Sequence, residues 1–537
     1  MNLRRAYVTT ATGLQIHYRI AGSGPPLVVL HPSPQSSEAM QPAITAFATL
    51  CTCIALDTPG YGLSDPLPDD TPGLRDYADA LLAALDALGV GRFAVYGAAT
   101  GAQIAIELAK RYPQRVTYLL LDANGHISDA DCQTIIDAGY FANVDIRRDG
   151  GHLVTTWDMC RQLFVAFPWT SSQPADRLGL DLPPAAVIHA TMLRYLQAGE
   201  RYALAYQAAM LAERRSHLDG VTTPAAMTRW VDSPVLALAD ALIDQGLPSN
   251  VELLHAGSGL NARFAVQKKA LSAALSASPW EDYKAVQSAA VEMLQRTYID
   301  TPAGQLHAHV AGPVDGRTAI VLHRAGESSA RVTNTVDELA ATHRVIAPDL
   351  PDHGSSDRLS DNLPLNVSTV TDILRTALQP VCESTVEWFG HGLGGAIAMN
   401  LGVARQERVG IIDPVPYAAN ERRTLSAAAV PDLTPRVDGT HLLSAWATVR
   451  DACQHFPAWD YRASALREQP DGVSLATLHA RVVDALCLGA RWRTWQSLEI
   501  GLDWERLIAN RDLNRTDIRL GDSHPCPQRV KRLINSR

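Results

Sequence analysis

The sequence has no long apolar run, no concentrated basic region and few cysteines, and each absence removes a class of function. A helix that spans a bilayer needs about 20 consecutive apolar residues, and no run approaches that length, so we expect no membrane association. The polar segment 1–5 leads into a strand-like segment without the apolar core of a signal peptide. Basic residues are spread along a chain with a formal net charge of −9, which argues against nucleic acid as a partner.

The 8 cysteines include no C-x-x-C pair and are too few for a disulfide framework in 537 residues. Cys51 and Cys53 share one face of an apolar strand-like run at 51–56, which indicates core packing. This usage favours a reducing cytoplasm, and we predict no metal or other cofactor. With 47% apolar and 19% charged residues, the chain has the balance of two large globular domains.

Serine is missing from two glycine turns where a nucleophile is expected. Strand, turn and helix around the pattern G-x-S-x-G form a nucleophile elbow. Residues 97–101 read Gly-Ala-Ala-Thr-Gly with Ala99 at the centre, and residues 390–394 read Gly-His-Gly-Leu-Gly with Gly392 at the centre. Neither centre carries a nucleophile. Both would leave room in a pocket, so we include them among the expected ligand-site residues.

The two turns belong to an internal duplication of the whole chain. Matching residues recur at almost constant offsets of 292, 292 and 293 positions, in the pairs His31 with His323, Asp57 with Asp349, and Ala99 with Gly392. Collinear matches at a near-constant offset indicate two copies of one domain.

Each half predicts the same order of elements. A hairpin opens it, and apolar strands then alternate with amphipathic helices, which indicates a mostly parallel sheet. A helical insertion follows, at about 126–228 in the first half and 415–500 in the second. We expect another strand at 234–239 after the first insertion. The predicted domains are 1–285 and 286–537, with a linker near 277–283.

These parts resemble the α/β-hydrolase superfamily. The resemblance rests on the strand-ending histidines, the D-x-P-G-Y-G-x-S-D turn at 57–65 and its copy at 349–357, and the two elbows. It implies an α/β fold of two tandem domains, each a mostly parallel sheet flanked by helices and carrying a helical cap. It implies little about the reaction, because this fold hosts many chemistries.

The catalytic triad of that superfamily is incomplete in both halves. Its order is serine, then an acid, then histidine. The first half has Ala99 at the nucleophile position and Ser258 or Gly259 where the histidine is expected. The second half has Gly392 at the nucleophile position, and His524 stands before its terminal helix.

His524 is the strongest candidate for catalysis. An imidazole oriented by an acid can act as a general base without a serine. The resemblance suggests as that acid either Asp413, at the end of the sixth strand, or Asp503, near the expected end of the seventh strand, with His524 after the last strand. His524 as an unused remnant of a triad is the alternative. His323 fits either a catalytic role or a structural one at the end of its strand.

Further candidates surround the two elbows. Thr100 and Leu393 follow the elbow centres, so their backbone N–H groups fall where an oxyanion donor is expected. Arg324 would bind a substrate carboxylate as a planar fork, with a solvated surface arginine as the alternative. His31 and His391 each fit a pocket role or a structural role.

The insertions also repeat. His152 and Trp157 match His441 and Trp446 at an offset of 289 positions. Tryptophan in a cap is typical of a wall around an apolar ligand, so we expect these four residues to contact a substrate. Plain packing of the cap is the alternative.

The sequence therefore predicts an enzyme that acts on a small organic molecule, by hydrolysis or by a lyase-type proton transfer, without a serine nucleophile. The alternative is an inactive pseudo-hydrolase that binds a small ligand or supports its neighbouring domain. A small molecule is the expected partner, and a homo-oligomer is allowed.

Overall fold

A computed structural model describes residues 3–277, 283, 294–382, 385–424, 430–467, 473–509, 514–521 and 524–535. The chain forms two compact units. One comprises Met1–Asp145 with Thr155–Ala289, and the other comprises Ile146–Val154 with Ala290–Arg537. The predicted boundary at 285/286 and most of the predicted linker lie outside the described residues, so both stay predictions.

The sheet of the first unit has eight strands in the order β1-β2-β4-β3-β5-β6-β7-β8. β1 pairs antiparallel with β2 and β2 pairs antiparallel with β4, whereas the other pairs are parallel. The strands are β1 Arg4–Thr9, β2 Gln15–Ala21, β3 Pro26–Leu30, β4 Thr52–Leu56, β5 Phe93–Ala98, β6 Val116–Asp122, β7 Ala225–Trp230 and β8 Val251–Ala256.

Apolar residues on both faces of β3, β4 and β5 explain the layered arrangement, because a parallel sheet must be covered on each side. Helices α2 and α3 pack on one face, and α1 and α9 pack on the other. The helices are α1 Gln41–Phe47, α2 Leu74–Ala87, α3 Thr100–Arg111, α4 Asp129–Asp137, α5 Gly151–Gln162, α6 Ala185–Ala198, α7 Ala203–Ala212, α8 Leu236–Asp244 and α9 Leu260–Ser276. The predicted strand at 234–239 is wrong, because α8 covers most of that segment and β7 precedes it.

The sheet of the second unit has seven strands in the order β15-β14-β13-β11-β12-β10-β9. They are β9 Gln295–Thr301, β10 Gly304–Ala311, β11 Arg317–Leu322, β12 His343–Pro348, β13 Val386–His391, β14 Arg408–Ile412 and β15 Thr516–Arg519. The helices are α10 Thr333–Ala340, α11 Val367–Leu378, α12 Leu393–Arg405, α13 Ala419–Thr424, α14 Thr440–Gln454, α15 Leu475–Leu488, α16 Trp492–Ile500, α17 Trp504–Ala509 and α18 Pro527–Asn535. The predicted fold class is confirmed in both units.

The last strand of the second sheet pairs differently from what the resemblance implied. β15 pairs in parallel with β14, which is the place that β7 has beside β6 in the first sheet. Within the described residues, the second sheet has no counterpart of β8. His524 therefore follows the equivalent of β7, whereas the resemblance placed it after the equivalent of β8.

None of the helices within the described residues has the length and apolar character needed to cross a membrane.

Candidate active site in the second unit

The second elbow keeps the shape of a nucleophile turn. β13 ends at His391 and α12 begins at Leu393, with Gly392 between them at φ 49° and ψ −121°. Ala99 has nearly the same conformation, φ 48° and ψ −114°, between β5 and α3. A residue with a side chain adopts this backbone at a cost of about 1–3 kcal/mol. The two turns therefore match in backbone and differ in what surrounds them.

A carboxylate stands where the nucleophile of the second elbow would be. A Cβ built on Gly392 would overlap Oε1 of Glu499 and would lie 2.9 Å from Cβ of Arg324. The backbone N–H of Ala325 donates to Oε2 of Glu499 over 2.7 Å. The backbone N–H of Leu393 also donates to this carboxylate.

These two amides have the positions of an oxyanion hole. In α/β-hydrolases the donors are the N–H after the nucleophile and an N–H from the loop that follows the third strand. Leu393 follows Gly392, and Ala325 lies in the loop after β11. Leu393 was predicted as such a donor, and the structure gives its amide a carboxylate of the same chain as acceptor.

Glu499 comes from the cap, on helix α16, and its side chain is 8% exposed. Burial raises its pKa above the usual range of a glutamate, while Arg324 and the amides of Ala325 and Leu393 oppose that rise. The N-terminus of α12 also favours a negative charge at this point. A carboxyl group with a raised pKa in a cleft is a frequent feature of acid–base catalysis.

Two arginines lie beside Glu327, a second acid near the elbow. Nε of Arg324 lies 3.9 Å from Oε2 of Glu327, and Nε of Arg481 lies 3.3 Å from Oε1 of the same residue. Burial acts to lower the pKa of Arg324, but the charges of Glu327 and Glu499 outweigh it and raise that pKa. Arg324 thus remains charged at the edge of the elbow.

A cavity of about 170 Å³ opens beside Glu499. Polar groups and aromatic rings share its wall, which includes Arg324, Glu327, Arg467, Arg481, Glu499, Tyr417, His455, Phe456, Trp459 and Trp492. This lining can hold an organic anion beside a carboxyl group that can carry a proton.

Both ring nitrogens of each strand-ending histidine hydrogen-bond to the backbone. Nδ1 of His323 bonds the carbonyl of Arg324 over 2.8 Å, and its Nε2 accepts the N–H of Leu350 over 2.8 Å. His31 repeats the arrangement with the carbonyl of Pro32 and the N–H of Thr58. Because both ring nitrogens are in use, the geometry gives His323 no free nitrogen for catalysis and favours the structural interpretation of both residues.

His391 lies just before Gly392, and its Nε2 is 3.1 Å from Oγ1 of Thr335. Burial, and to a smaller extent the charge of Arg324, lowers the pKa of His391 to about 4. The ring is therefore neutral at physiological pH.

His524 also bonds to the backbone. Nε2 lies 2.9 Å from the carbonyl oxygen of Pro414, and Nδ1 accepts the N–H of Cys526 over 3.1 Å. Burial lowers its pKa. Among the described residues no carboxylate hydrogen-bonds to the ring, so the structure does not assemble the predicted pair of His524 with an acid.

The two predicted acids have other partners. Asp413 follows β14 and accepts the N–H of Gly521 over 2.7 Å. Asp503 accepts the N–H of Arg506 over 3.1 Å at the start of α17, in the manner of a helix cap. Asp503 therefore precedes a helix, where the prediction expected the end of a strand.

The repeated cap residues are packed inside the caps. Nδ1 of His152 accepts the N–H of Arg147, and Nδ1 of His441 accepts the N–H of Arg436, each over 3.2 Å. Trp157 and Trp446 are 4% and 2% exposed. None of these four predicted contact residues lines the cavity beside Glu499, so the geometry favours the packing alternative.

The first unit keeps part of a triad around an empty nucleophile position. Asp232 follows β7, and its Oδ2 accepts the Ser258 hydroxyl over 2.8 Å and the Gly259 N–H over 2.7 Å. An acid and a histidine position are thus adjacent, with serine in place of histidine. At the elbow, the hydroxyl of Thr100 accepts the N–H of Ser33 over 3.3 Å.

The sequence analysis did not predict two functional candidates, Glu499 and Asp232. Glu499 lies on the buried face of α16 with Trp492 and Trp495, at spacings of three and four residues. A charged residue on an otherwise apolar helical stripe is a recognisable signal. The sequence around Asp232 (RWVDSP) matches RLGDSHP near the C-terminus, and this match indicates β7 and its acid. Its counterpart Asp522 lies outside the described residues.

Two family models match the chain. The model described as alpha/beta hydrolase fold matches residues 25–147, and the model described as Alpha/beta hydrolase family matches residues 320–528.

Curated relatives cover parts of the chain. The chain is 33% identical over 123 residues to the 2-hydroxy-6-oxononadienedioate/2-hydroxy-6-oxononatrienedioate hydrolase of Burkholderia vietnamiensis. This matched region covers 22% of this chain and 43% of that protein. The chain is 30% identical over 103 residues to the 2-(acetamidomethylene)succinate hydrolase of Mesorhizobium japonicum, 19% of this chain and 37% of that protein. The chain thus spans less than half the length of either relative. Among solved structures, epoxide hydrolase A from Mycobacterium thermoresistibile is 19% identical with a TM-score of 0.40, over 52% of this chain and 100% of that one.

Proposed function

This chain belongs to the α/β-hydrolase superfamily as a tandem of two such domains, and we propose that its second domain is a noncovalent acid–base active site for a small organic anion. Glu499 replaces the missing serine as the reacting group of the protein. The observation that carries this proposal is the position of its carboxylate at the elbow, on two backbone amides and in the wall of a cavity.

The amides have a different task in this arrangement. In a serine hydrolase they stabilise the oxyanion of the transition state. Here Ala325 and Leu393 fix the carboxylate of Glu499, which keeps further lone pairs for a proton. A base held in one orientation by hydrogen bonds loses less freedom when it reacts, which favours proton transfer.

Two reaction types fit a carboxyl group in this place. In a lyase-type reaction Glu499 takes a proton from a substrate carbon and later returns it to the product. In a hydrolysis it takes a proton from water as the water oxygen bonds to the substrate, and then gives that proton to the leaving group. No bond forms between protein and substrate in either case.

An organic anion as substrate is supported by the arginines and by the names of relatives. Arg324, Arg467 and Arg481 line the cavity together with Glu327 and Glu499, so arginines outnumber glutamates by three to two among the described residues of its wall. The two curated relatives above are named for dioate and succinate substrates.

The test is an incubation of the protein with a cell metabolite extract, followed by mass spectrometry. We expect wild type to deplete at least one small organic acid and Glu499→Gln to leave it unchanged. Glu505→Gln is the matched control, since Glu505 lies exposed on the next helix. Equal depletion by wild type and Glu499→Gln would exclude Glu499 from the reaction.

A protein that binds its ligand without turnover is the second candidate. It is favoured by one observation. Glu499 already accepts hydrogen bonds from both elbow amides, so neither amide is left to donate to a substrate oxyanion. In the same experiment this alternative predicts no depletion by any variant, together with retention of a ligand from the extract on the wild-type protein.

A further inference from the structure

Among the described residues, three arginines and two glutamates line the cavity beside Glu499. Arg324 and Arg481 share one carboxylate, that of Glu327. Arg467 donates to the carbonyl oxygen of Ala452 over 2.6 Å. Burial, followed by the nearby charges of Arg324 and Arg481, lowers the pKa of Arg467. These guanidinium groups form a site in which an anion is stabilised.

Aromatic rings form another part of the wall. Tyr417 stacks on Trp459 with ring centroids 5.8 Å apart and planes inclined by 18°, and Phe456 lies 5.3 Å from Tyr417. The indole N–H of Trp492 is buried and has no hydrogen-bond partner among the described residues. Flat apolar faces with one free donor suit a planar ligand that carries a polar group.

The volume limits the size of the ligand. An apolar cavity of about 150 Å³ can hold one benzene molecule, and this one measures about 170 Å³. It therefore suits one ring with a small substituent.

A surface groove of about 550 Å³ adjoins the cavity and shares Cys453 and Arg467 with it. Its wall includes Arg450 and the exposed side chains of Leu466 and Leu475. Arg467 thus stands where the groove and the cavity meet. A positively charged approach raises the encounter rate of anions.

From this arrangement we propose that the ligand of the second domain is a small aromatic carboxylate, with its anionic group held by Arg467 and Arg481 and its ring against Tyr417, Trp459 and Trp492. The inference rests on the proposed function for the place of the site, and it adds the chemical class of the ligand.

The experiment measures binding of four probes to the full chain by titration calorimetry and tryptophan fluorescence. Benzoate and phenylacetate carry the ring and the charge, benzamide carries the ring without the charge, and cyclohexanecarboxylate carries the charge without the aromatic ring. We expect the two aromatic carboxylates to bind at least about tenfold more tightly than benzamide, because benzamide carries no negative charge to pair with the arginines. Cyclohexanecarboxylate should bind more weakly than benzoate, since it does not stack.

Matched variants locate the binding. Arg467→Gln should weaken benzoate binding at least about tenfold through the loss of a charge-assisted hydrogen bond. Arg462→Gln is its control, because Arg462 is exposed and pairs with Asp460. Trp459→Leu should weaken binding of the aromatic carboxylates, whereas Tyr461→Leu, at a side chain that is 70% exposed, should not. Circular dichroism checks that each variant is folded.

Equal affinity for benzoate and benzamide, equal effects of Arg467→Gln and Arg462→Gln, or no binding of either aromatic carboxylate would overturn the inference. Selective binding of the aromatic carboxylates, together with no depletion of any acid from the metabolite extract, would instead refute only the acid–base function.

Discussion

The overlap between Glu499 and a side chain at the second elbow allows a sharp test of the site by Gly392→Ala. A Cβ at this position would fall well inside the 3.4 Å of ordinary contact with Oε1 of Glu499, so the carboxylate must withdraw. The backbone itself does not exclude the change, since Ala99 adopts the same conformation.

The magnitude follows from two contributions. The strained backbone with a Cβ costs about 1–3 kcal/mol. Withdrawal of the carboxylate removes two hydrogen bonds to a charged acceptor, from Ala325 and Leu393, each of which contributes about 1.5–3 kcal/mol. We therefore expect Gly392→Ala to destabilise the second domain by about 4 kcal/mol or more.

The double variant separates the two contributions. In a Glu499→Ala background, Gly392→Ala should cost only the backbone strain and the 2.9 Å approach to Cβ of Arg324. The two substitutions should therefore be coupled by about 3–6 kcal/mol, the contribution of the two hydrogen bonds that Gly392→Ala alone removes. Ala209 stands in the corresponding place of the first repeat, which shows that alanine fits such a cap helix.

Hydrogen exchange read by mass spectrometry is the assay, because global unfolding of a two-domain chain is not two-state. The amides of Ala325 and Leu393 should exchange slowly in wild type and faster in Gly392→Ala, and Ala99→Gly should leave both unchanged. Unaltered protection in Gly392→Ala, or strictly additive effects in the double variant, would refute the reasoning.

Three further predictions follow from the same geometry. His524→Ala should keep ligand binding and turnover but lower stability by about 1–3 kcal/mol, because it leaves backbone partners of the ring unsatisfied; a loss of turnover with full binding would restore His524 as the base. The raised pKa of Glu499 means that the folded state resists its ionisation, so this residue's contribution to stability is greatest below the unfolded pKa of about 4.5 and is lost as pH rises through the folded pKa. Wild type should therefore lose stability relative to Glu499→Gln as the pH rises above about 4.5, measured by hydrogen exchange of the second domain, and parallel pH dependences would contradict the raised pKa. In the first domain, Ala99→Ser with Ser258→His should hydrolyse an activated ester faster than Ala99→Ser alone, since Asp232 already binds the side chain at 258; equal rates would show that this acid cannot orient a histidine.

Repetition made the fold predictable from the sequence. The two elbows, the strand-ending histidines and the constant offset each constrain the same arrangement, so the sheets and elbows have the expected form. The predicted strand assignment was wrong where the second half does not repeat the strands of the first. The segment before His524 was aligned with β8, although β15 pairs beside β14 in the place of β7. Pairing partners across a sheet are a tertiary property, and a four-residue strand contains too little pattern to specify them.

The site was harder to predict because the reacting group comes from a distant element. Glu499 has no motif around it, and its importance depends on the approach of α16 to an elbow more than a hundred residues earlier in the chain. His323 shows the opposite case. Its place at a strand end suggested chemistry, but the loop after that strand needs both of its ring nitrogens to satisfy backbone groups.

The most direct test of the central claim is the transfer of hydrogen from solvent. Wild type, Glu499→Gln and the control Glu505→Gln would be incubated with a cell metabolite extract in deuterated water, and the mass and abundance of small organic acids followed by mass spectrometry. We expect wild type and Glu505→Gln to change at least one acid, by deuterium uptake at carbon or by cleavage, and Glu499→Gln to change none. The same changes with Glu499→Gln as with wild type would contradict that claim.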